Sequence, residues 1–257
     1  MQKSDRKPQA CDSTPSRARG RPRAFDRQAA LAEATRLFWL KGFEATSMTD
    51  LTEAMGIGSP SLYAAFGSKE ALYAEAVRYY RESYEALVWA KFHSARTARE
   101  AIASFLLDSA AALTGCVADI PRGCMVALSS VGSEGHLELG ELVRSARAVT
   151  LERLKARLER AVADGEVPVA TDVHALSRFV QTVQFGMSVL ARDGASRAEL
   201  EAVAEVSILG WDARTRSDTD STKSGRLAGC AGFSLIKRAT EQNHCSDGRL
   251  SKPRPEI

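Results

Sequence analysis

The sequence predicts an all-α fold, and three observations lead to that prediction. Apolar residues recur at helical spacing over most of residues 26–213. Residues that commonly cap helices, such as Ser, Thr and Asp before a segment and Gly after it, divide this stretch into separate helices. No window alternates apolar and polar residues with the β-branched enrichment typical of a strand. With 257 residues and 44% hydrophobic content, the chain can form one large helical domain or two smaller ones.

Composition divides the chain into four regions. Residues 1–24 are basic, rich in Pro and Ser and almost free of apolar residues, so we expect a disordered arm. Residues 25–70 are predicted to form a small N-terminal domain, and residues 71–213 a larger helical domain. Residues 214–257 are again polar and charged, and we expect a mostly disordered tail.

Positive charge is concentrated at the two ends of the chain. The whole sequence carries a formal charge of +3, yet residues 1–23 hold seven Lys and Arg against two Asp, and residues 214–257 hold nine against five acidic residues. The middle of the chain is therefore net negative. A polyanion such as nucleic acid, or an anionic surface, would meet the ends first.

Several classes of protein are disfavoured by what the sequence lacks. Five cysteines without CxxC spacing and four isolated histidines fit neither a disulfide framework nor a metal site, so we expect no metal and no cofactor. No stretch approaches the ~20 apolar residues of a membrane span, and the basic N-terminus lacks an apolar signal core. We expect a cytoplasmic protein without a membrane partner. No catalytic triad order, phosphate-binding glycine loop or paired-carboxylate motif indicates an enzyme.

Cap residues mark three short helices in the N-terminal domain. Asp26 can cap the first helix, Thr46 or Ser47 the second, and Ser59, followed by Pro60, the third. A glycine follows each predicted helix, at Gly42, Gly56 and Gly67.

Longer helical patterns follow these three. Ser68 opens a helix that continues to about Trp89 and would span about 30 Å at ~1.5 Å per residue. Further helices are predicted at about 97–114, 121–130, 137–164, 172–192 and 196–211.

The second and third short helices have the lengths and the connecting turn of a helix-turn-helix. Leu62 and Phe66 are spaced to anchor the third helix inward. The residues predicted to face outward are Ser59, Ser61, Tyr63 and Ala64. Small hydroxyls and a methyl group can contact base edges, and a tyrosine can donate to a phosphate. Alternatively, Leu-Tyr-x-x-Phe is ordinary helix core, and Tyr63 could pack its ring inside while its hydroxyl reaches out.

Residues 46–77, TSMTDLTEAMGIGSPSLYAAFGSKEALYAEAV, resemble the DNA-binding domain of the TetR family of bacterial transcriptional regulators. The signature is a glycine, then Leu-Tyr-x-x-Phe, then Lys-Glu-x-Leu. Here it begins at Gly56 and runs through Leu62, Tyr63, Phe66, Lys69, Glu70 and Leu72. The preceding helix and its Lys-Gly-Phe turn also fit, so the resemblance covers about 50 residues.

The resemblance implies a fold and a set of DNA contacts. It implies a three-helix DNA-binding domain joined by a long helix to a helical ligand-binding and dimerisation domain. It also implies that Thr46, Ser59, Ser61, Tyr63 and Lys69 lie where family members touch double-stranded DNA, with Tyr63 and Lys69 mainly on phosphates. From the cap pattern, Ser47 is a further candidate. The expected function is a ligand-responsive repressor that binds a palindromic operator as a homodimer and is released by an unidentified small molecule.

A rival hypothesis is an effector-independent architectural DNA-binding protein. Binding that follows only A·T content would favour that rival, whereas a sharply bounded operator and an effector-sensitive affinity would exclude it.

Two adjacent apolar stripes, at 175–190 and 200–209, suit a four-helix dimer interface. Two reading heads must reach major grooves about 34–36 Å apart, which a monomer cannot do. The candidate interface residues are Phe179, Val183, Met187, Leu200 and Val203. Alternatively, both stripes pack inside one protomer.

A ligand pocket is expected between the helices at 97–192. The candidate contacts are Phe105, Cys116, Met125, Gln184 and Met187. Each of them could equally be ordinary core, and no charged cluster indicates an anionic or cationic ligand.

Cys124 supports a separate hypothesis of thiol-based redox sensing. It lies beside Arg122, close to a predicted helix start, and both features can stabilise a thiolate. The alternative is a buried, unreactive thiol.

The basic arm ends directly before the first helix, so it would lie beside a bound duplex. Its Arg-Gly-Arg-Pro core resembles an AT-hook, and Arg19, Arg21 and Arg23 are candidates for entering a narrow minor groove. Pro22 restrains Arg21 to an extended conformation, and Gly20 permits close approach. A solvated cationic tail is the alternative.

Overall fold

The computed structural model describes residues 25–133 and 135–215 of the chain. These residues fall within one compact unit and contain no strand, so the all-α prediction is confirmed. The helices are α1 (Arg27–Lys41), α2 (Met48–Met55), α3 (Ser59–Phe66), α4 (Lys69–Tyr84), α5 (Ala86–Ser94), α6 (Ala98–Leu113), α7 (Met125–Leu128), α8 (Leu137–Ala163), α9 (Val173–Arg192) and α10 (Arg197–Thr215). The predicted basic arm and nearly all of the predicted tail lie outside the described residues, and the division at residue 70 stays a prediction.

Local capping explains where the first two helices begin and end. The Asp26 carboxylate accepts hydrogen bonds from the backbone N–H groups of Gln28 and Ala29, and so caps α1. Ser47 caps α2 reciprocally with Asp50, which settles the open choice between Thr46 and Ser47. Gly56 then ends α2 at φ 65°, a left-handed conformation that favours glycine.

The third helix begins one residue earlier than predicted. Gly58, not Ser59, is the N-cap of α3, and Ser59 is the first helical residue. Pro60 fits the first turn because its missing N–H has no partner to lose there. The predicted start of the next helix is confirmed, since the Ser68 hydroxyl accepts from Ala71 N–H at 3.0 Å.

The predicted helix from Ser68 to about Trp89 forms as two helices, α4 and α5, interrupted only at Glu85, which keeps helical dihedrals of φ −60° and ψ −39°. On the far side of the break, the N–H groups of Val88 and Trp89 both bond to the Glu85 carbonyl. The helix predicted at 121–130 is also shorter, only Met125–Leu128. Gly123 precedes it at φ 80°, which a helix does not allow.

The buried side chains form two clusters. One cluster joins α1–α4 to α7 and the beginning of α8, and its largest members include Phe38, Leu62 and Tyr73. The other joins α5, α6, α9 and α10 to the rest of α8, around Phe105, Leu154 and Met187. Cys124 packs against both clusters. No helix in the described ranges is long and apolar enough to cross a membrane.

Candidate nucleic-acid interface and internal cavity

The α3 helix divides its side chains between core and solvent as predicted. Leu62 and Phe66 are 0% and 4% exposed, whereas Tyr63 is 50% exposed. Ser59, Ser61 and Ala64 are also exposed. Because the two anchors lie at i and i+4, one face of α3 is held inside and the other is free to enter a groove.

Thr46 does not belong with these exposed side chains. It is 0% exposed, and its hydroxyl donates to the Gly42 carbonyl at 2.6 Å. A direct DNA contact by the Thr46 side chain is therefore wrong for this conformation. Ser47, the next residue, is exposed at the first turn of α2 and remains a candidate contact.

An ion pair fixes α2 against the end of α1. The Asp50 carboxylate accepts from Lys41 Nζ at 2.8 Å and from both the backbone N–H and the hydroxyl of Ser47. The hydrogen bond with Lys41, followed by those from Ser47, holds the pKa of Asp50 well below its usual range. The Ser47 hydroxyl is thus already oriented before any DNA arrives.

Lys69 lies at the start of α4 with its ammonium nitrogen 4.2 Å from the centre of the Phe43 ring. This cation–π contact orients the side chain without neutralising its charge. Lys69 is therefore positioned as a cation beside α3, as its predicted phosphate contact requires.

Arg27 is a positioning residue that the sequence analysis missed. Its guanidinium donates to both Glu75 carboxylate oxygens at 2.8 Å and to the Ala65 carbonyl at 3.2 Å, and it lies over the Phe66 ring. It therefore ties α1 and α4 to the end of α3. No sequence signal pairs residues 48 positions apart, so only the fold reveals this contact.

The predicted arm contacts Arg19, Arg21 and Arg23 lie outside the described residues. They stay a prediction.

A pocket of about 100 Å³, open to solvent on one side, lies where α4 and α5 meet α8 and α9; we call it the internal cavity. Phe105 and Gln184 line it, as predicted, and so does Cys124. Most of the remaining lining is aromatic or aliphatic: Trp39, Tyr80, Tyr84, Val88, Trp89, Leu113, Ile120, Val126 and Phe185.

Three predicted pocket residues lie elsewhere. Cys116 is exposed on the surface, in the turn after α6. Met125 is 3% exposed and packs in the cluster around α1–α4, beside a separate depression at the end of α1. Met187 is 1% exposed in the other cluster. Helical spacing places all three near the cavity but cannot say which way each side chain points.

Trp39 connects the cavity to the N-terminal helices. It belongs to α1, lines the cavity, and donates its indole N–H to the Gly123 carbonyl at 3.0 Å. Its ring also meets the Tyr80 ring edge-on at 4.7 Å between centroids. A Cβ at Gly123 would lie 2.9 Å from the Ser188 carbonyl oxygen, so only glycine allows this close approach.

Arg192 makes a second connection that the sequence did not reveal. From the last turn of α9 it donates to the carbonyls of Trp39, Leu40 and Arg122 at 2.8, 3.1 and 3.0 Å. Two of these carbonyls belong to the last turn of α1, where helical partners are missing. Arg192 therefore links α9 and the loop before α7 to the end of α1.

An apolar face on α9 and α10 lies exposed. Of the predicted interface residues, Phe179 and Val203 are 43% and 37% exposed, and Val183 is partly buried. Met187 and Leu200 are wrong as interface residues, since both are almost fully buried inside the protomer. The exposed face instead includes Val189, Leu190, Val206 and Leu209. We call this set, with Phe179 and Val203, the α9–α10 face.

The described helices define a helix-turn-helix protein with an exposed recognition helix. Residues 30–76 match the profile of the family described as bacterial regulatory proteins, tetR family. The HTH-type transcriptional repressor ComR of Escherichia coli (strain K12) is 36% identical over 209 residues, which cover 79% of this chain and 97% of ComR. The repressor BdcR of the same organism is 32% identical over 195 residues, covering 74% and 90%. The chain therefore belongs to the TetR family of bacterial transcriptional regulators.

A solved structure resembles the fold at similar identity. It contains a cysteine mutant of the TetR family transcriptional regulator CifR, complexed with a 26-bp double-strand operator DNA. The identity is 39%, the match covers 75% of this chain and 100% of that one, and the TM-score is 0.70.

Proposed function

We propose that this protein is a transcriptional repressor that binds a palindromic operator as a homodimer and is released by a small molecule held in the internal cavity. The observation that carries the proposal is the double position of Trp39. It is part of the helix that buttresses the reading head, and it is also a wall of the cavity. The repressor names of ComR and BdcR and the operator-bound CifR structure support the DNA-binding half.

In this proposal α3 enters the major groove. Ser59, Ser61 and Ala64 contact base edges there, while Tyr63 and Lys69 contact flanking phosphates. The exposure of the α3 side chains and the half-buried position of Lys69 beside them support the assignment, and Ser47 adds a hydroxyl at the start of α2. Small serine and alanine side chains offer few strong base contacts. The arginines of the N-terminal arm would add a minor-groove contact next to the operator.

A dimer supplies the second reading head that a palindrome requires. The α9–α10 face is an apolar surface that water would otherwise cover, and packing it against its two-fold copy would bury it in a four-helix interface. Two DNA-binding domains must lie at half-site spacing to bind a palindrome, and the α9–α10 face provides a surface through which two copies can pair.

Release would follow from a change at the cavity wall. The break between α4 and α5 lies at Glu85, which lines the cavity together with Tyr84 and Val88. A ligand that changes the angle between α4 and α5 would tilt α4. Movement of α9 or of the loop at Gly123 would reach α1 through the hydrogen bonds of Arg192 and Trp39. A preference for the released state of about 1–3 kcal/mol lowers operator affinity 5- to 150-fold.

The DNA-binding half is tested at Tyr63. Replacing Tyr63 by alanine should weaken operator binding about tenfold, because a hydrogen bond to a charged phosphate is lost. The slope of log affinity against log salt should stay nearly unchanged, because a neutral hydroxyl displaces no counterion. The operator is first located by a genome-wide footprint of the purified protein, and affinity is then measured by gel shift over a range of salt concentrations. Tyr63→Phe, which keeps the ring, isolates the hydroxyl. Unchanged affinity in Tyr63→Ala would refute the placement of α3.

Thiol sensing is a second candidate, because the Cys124 sulfur lies at the cavity wall among hydrogen-bond donors. The Tyr80 hydroxyl donates to it at 3.2 Å and the Ala127 N–H at 3.4 Å. Burial, followed by the neighbouring Cys124, raises the pKa of Tyr80 well above its usual range, so Tyr80 stays a donor at neutral pH.

Peroxide should then oxidise Cys124 to a sulfenic acid, with water as the other product, and weaken DNA binding. Cys124→Ser should retain operator binding in peroxide, while Cys116→Ser, at the exposed cysteine, serves as the matched control. Gel shifts with and without peroxide, followed by a reductant, measure the effect. Equal loss of binding in wild type and Cys124→Ser would exclude this route.

A further inference from the structure

Gln184 is a largely buried residue whose side-chain amide makes no hydrogen bond within the described part of the chain. It is 8% exposed and lines the internal cavity from α9. Its neighbours on the same helix face are fully engaged. Gln181 donates to the Arg147 carbonyl and accepts from Arg178, and the Ser188 hydroxyl accepts from the backbone N–H of Cys124. Gln184 therefore differs from the polar residues before and after it, because its amide faces the pocket without a bond to the protein.

A pocket amide that makes no bond to the protein is available to bond water or a ligand. We propose that the Gln184 amide is the recognition group of the cavity, and that the effector is a small, uncharged, largely apolar molecule with one polar group that hydrogen-bonds to Gln184. The proposal rests on the proposed function in that it takes the cavity as the effector site. An amide offers both a donor and an acceptor, so a carboxamide on the ligand can satisfy both at once.

The rest of the wall sets the size and the apolar character. Trp39, Trp89 and Phe105 face the same space, and their rings favour stacked or edge-on contacts with another ring. The volume of about 100 Å³ is somewhat below the ~150 Å³ of a cavity known to accept benzene. The enclosed part of the pocket therefore suits about one ring, and a substituent on that ring can extend toward the open side.

The charged groups of the wall are engaged elsewhere or reach solvent. Glu85 pairs with Arg153, and the Arg147 guanidinium donates to the carbonyls of Val126, Ala127 and Ser129. Arg81 is partly exposed. A cationic ligand would find no unpaired carboxylate among the described lining residues, and an anionic ligand would have to draw Arg81 away from water. An uncharged ligand needs neither change.

The experiment compares four one-ring compounds on the full-length protein without DNA. Benzamide carries the proposed polar group, toluene lacks it, and benzoate and benzylammonium carry opposite charges. Dissociation constants are measured by ligand-observed NMR titration for the wild type, for Gln184→Met, which keeps the length and removes the amide, and for Gln28→Met, an exposed control on α1.

We expect Gln184→Met to weaken benzamide and strengthen toluene, so that the ratio of their affinities changes at least fivefold, while Gln28→Met leaves the ratio unchanged. The melting temperature of unliganded Gln184→Met should stay close to that of the wild type, because the amide that is removed makes no bond to the protein. A ratio that changes less than twofold, tighter wild-type binding of benzoate or benzylammonium than of benzamide, or no measurable binding of any compound would overturn the proposal.

A parallel gel shift separates this proposal from the proposed function. If the affinity ratio depends on Gln184 but saturating benzamide leaves the operator complex intact, the recognition by Gln184 stands and release through the cavity fails. If benzamide releases the operator equally from wild type and Gln184→Met, release stands and the role of Gln184 fails.

Discussion

Replacing Val206 by glutamate is expected to convert the protein to monomers and to lower operator affinity at least 100-fold. Val206 is 68% exposed on α10, within the α9–α10 face. In a two-fold interface the substitution occurs twice and places two carboxylates in an apolar contact, where each loses its hydration without gaining a cation. A monomer then holds one half-site and loses the contribution of the second head. Sedimentation velocity measures the mass, and a gel shift measures the affinity.

Val169→Glu is the matched control for this change. Val169 is 87% exposed but lies in the loop between α8 and α9, away from both helices of the face. This control should remain a dimer with unchanged operator affinity. A dimeric Val206→Glu protein that binds the operator normally would show that the α9–α10 face is not the interface.

The two outermost helices show what apolar periodicity can and cannot predict. The bounds of α9 and α10 agree with the sequence to within a few residues, because caps and spacing are local properties. The division of their apolar residues between core and surface does not agree, since Met187 and Leu200 point inward while Val206 and Leu209 point outward. Each helix carries more apolar residues than one face can bury, so the sequence alone cannot assign them to core or partner.

The break at Glu85 shows the limit more sharply. No proline or glycine interrupts the chain there, and the run from Ser68 to Trp89 is rich in good helix formers. In the fold, Glu85 pairs with Arg153 of α8, and the Trp89 ring packs on Phe92 and Phe105. These contacts with distant segments lie at the interruption, and local helix propensity gives no sign of it. The contacts of Arg27 and Arg192 could not be predicted either, because their partners are far away in sequence.

The recognition helix could be predicted almost completely because its determinants lie within a dozen residues. Leu62 and Phe66 at i and i+4 define the buried side, and the turn before them fixes the start. The predicted DNA contact of Thr46 is wrong for a reason that is also local. Two adjacent hydroxyl residues could each cap α2, and the Thr46 hydroxyl turned back to the Gly42 carbonyl while Ser47 took the cap. Sequence cannot decide between two such neighbours, whereas backbone geometry can.

Phe38→Ala is expected to destabilise the folded protein by about 3–5 kcal/mol, because it leaves a cavity at the centre of the N-terminal cluster. Phe38 is 2% exposed, and its ring centroid lies 5.1 Å from that of Tyr73 on α4 and 6.1 Å from that of Phe43. These rings hold α1 against α4, so their loss also loosens the support of α3. Urea unfolding followed by circular dichroism measures the change in midpoint.

Leu40→Ala, two residues further along α1, separates this packing effect from helix propensity. Leu40 is 51% exposed, and its carbonyl bond to Arg192 is unaffected by the side chain, so this variant should change stability by no more than about 0.5 kcal/mol. Phe38→Ala should also lower operator affinity at temperatures where the rest of the protein remains folded, since α1 and α4 together position the recognition helix. If Phe38→Ala unfolds at the same urea concentration as Leu40→Ala, the aromatic cluster does not hold α1 against α4. The proposed transmission of effector binding through Trp39 would then lack a rigid α1 to act on.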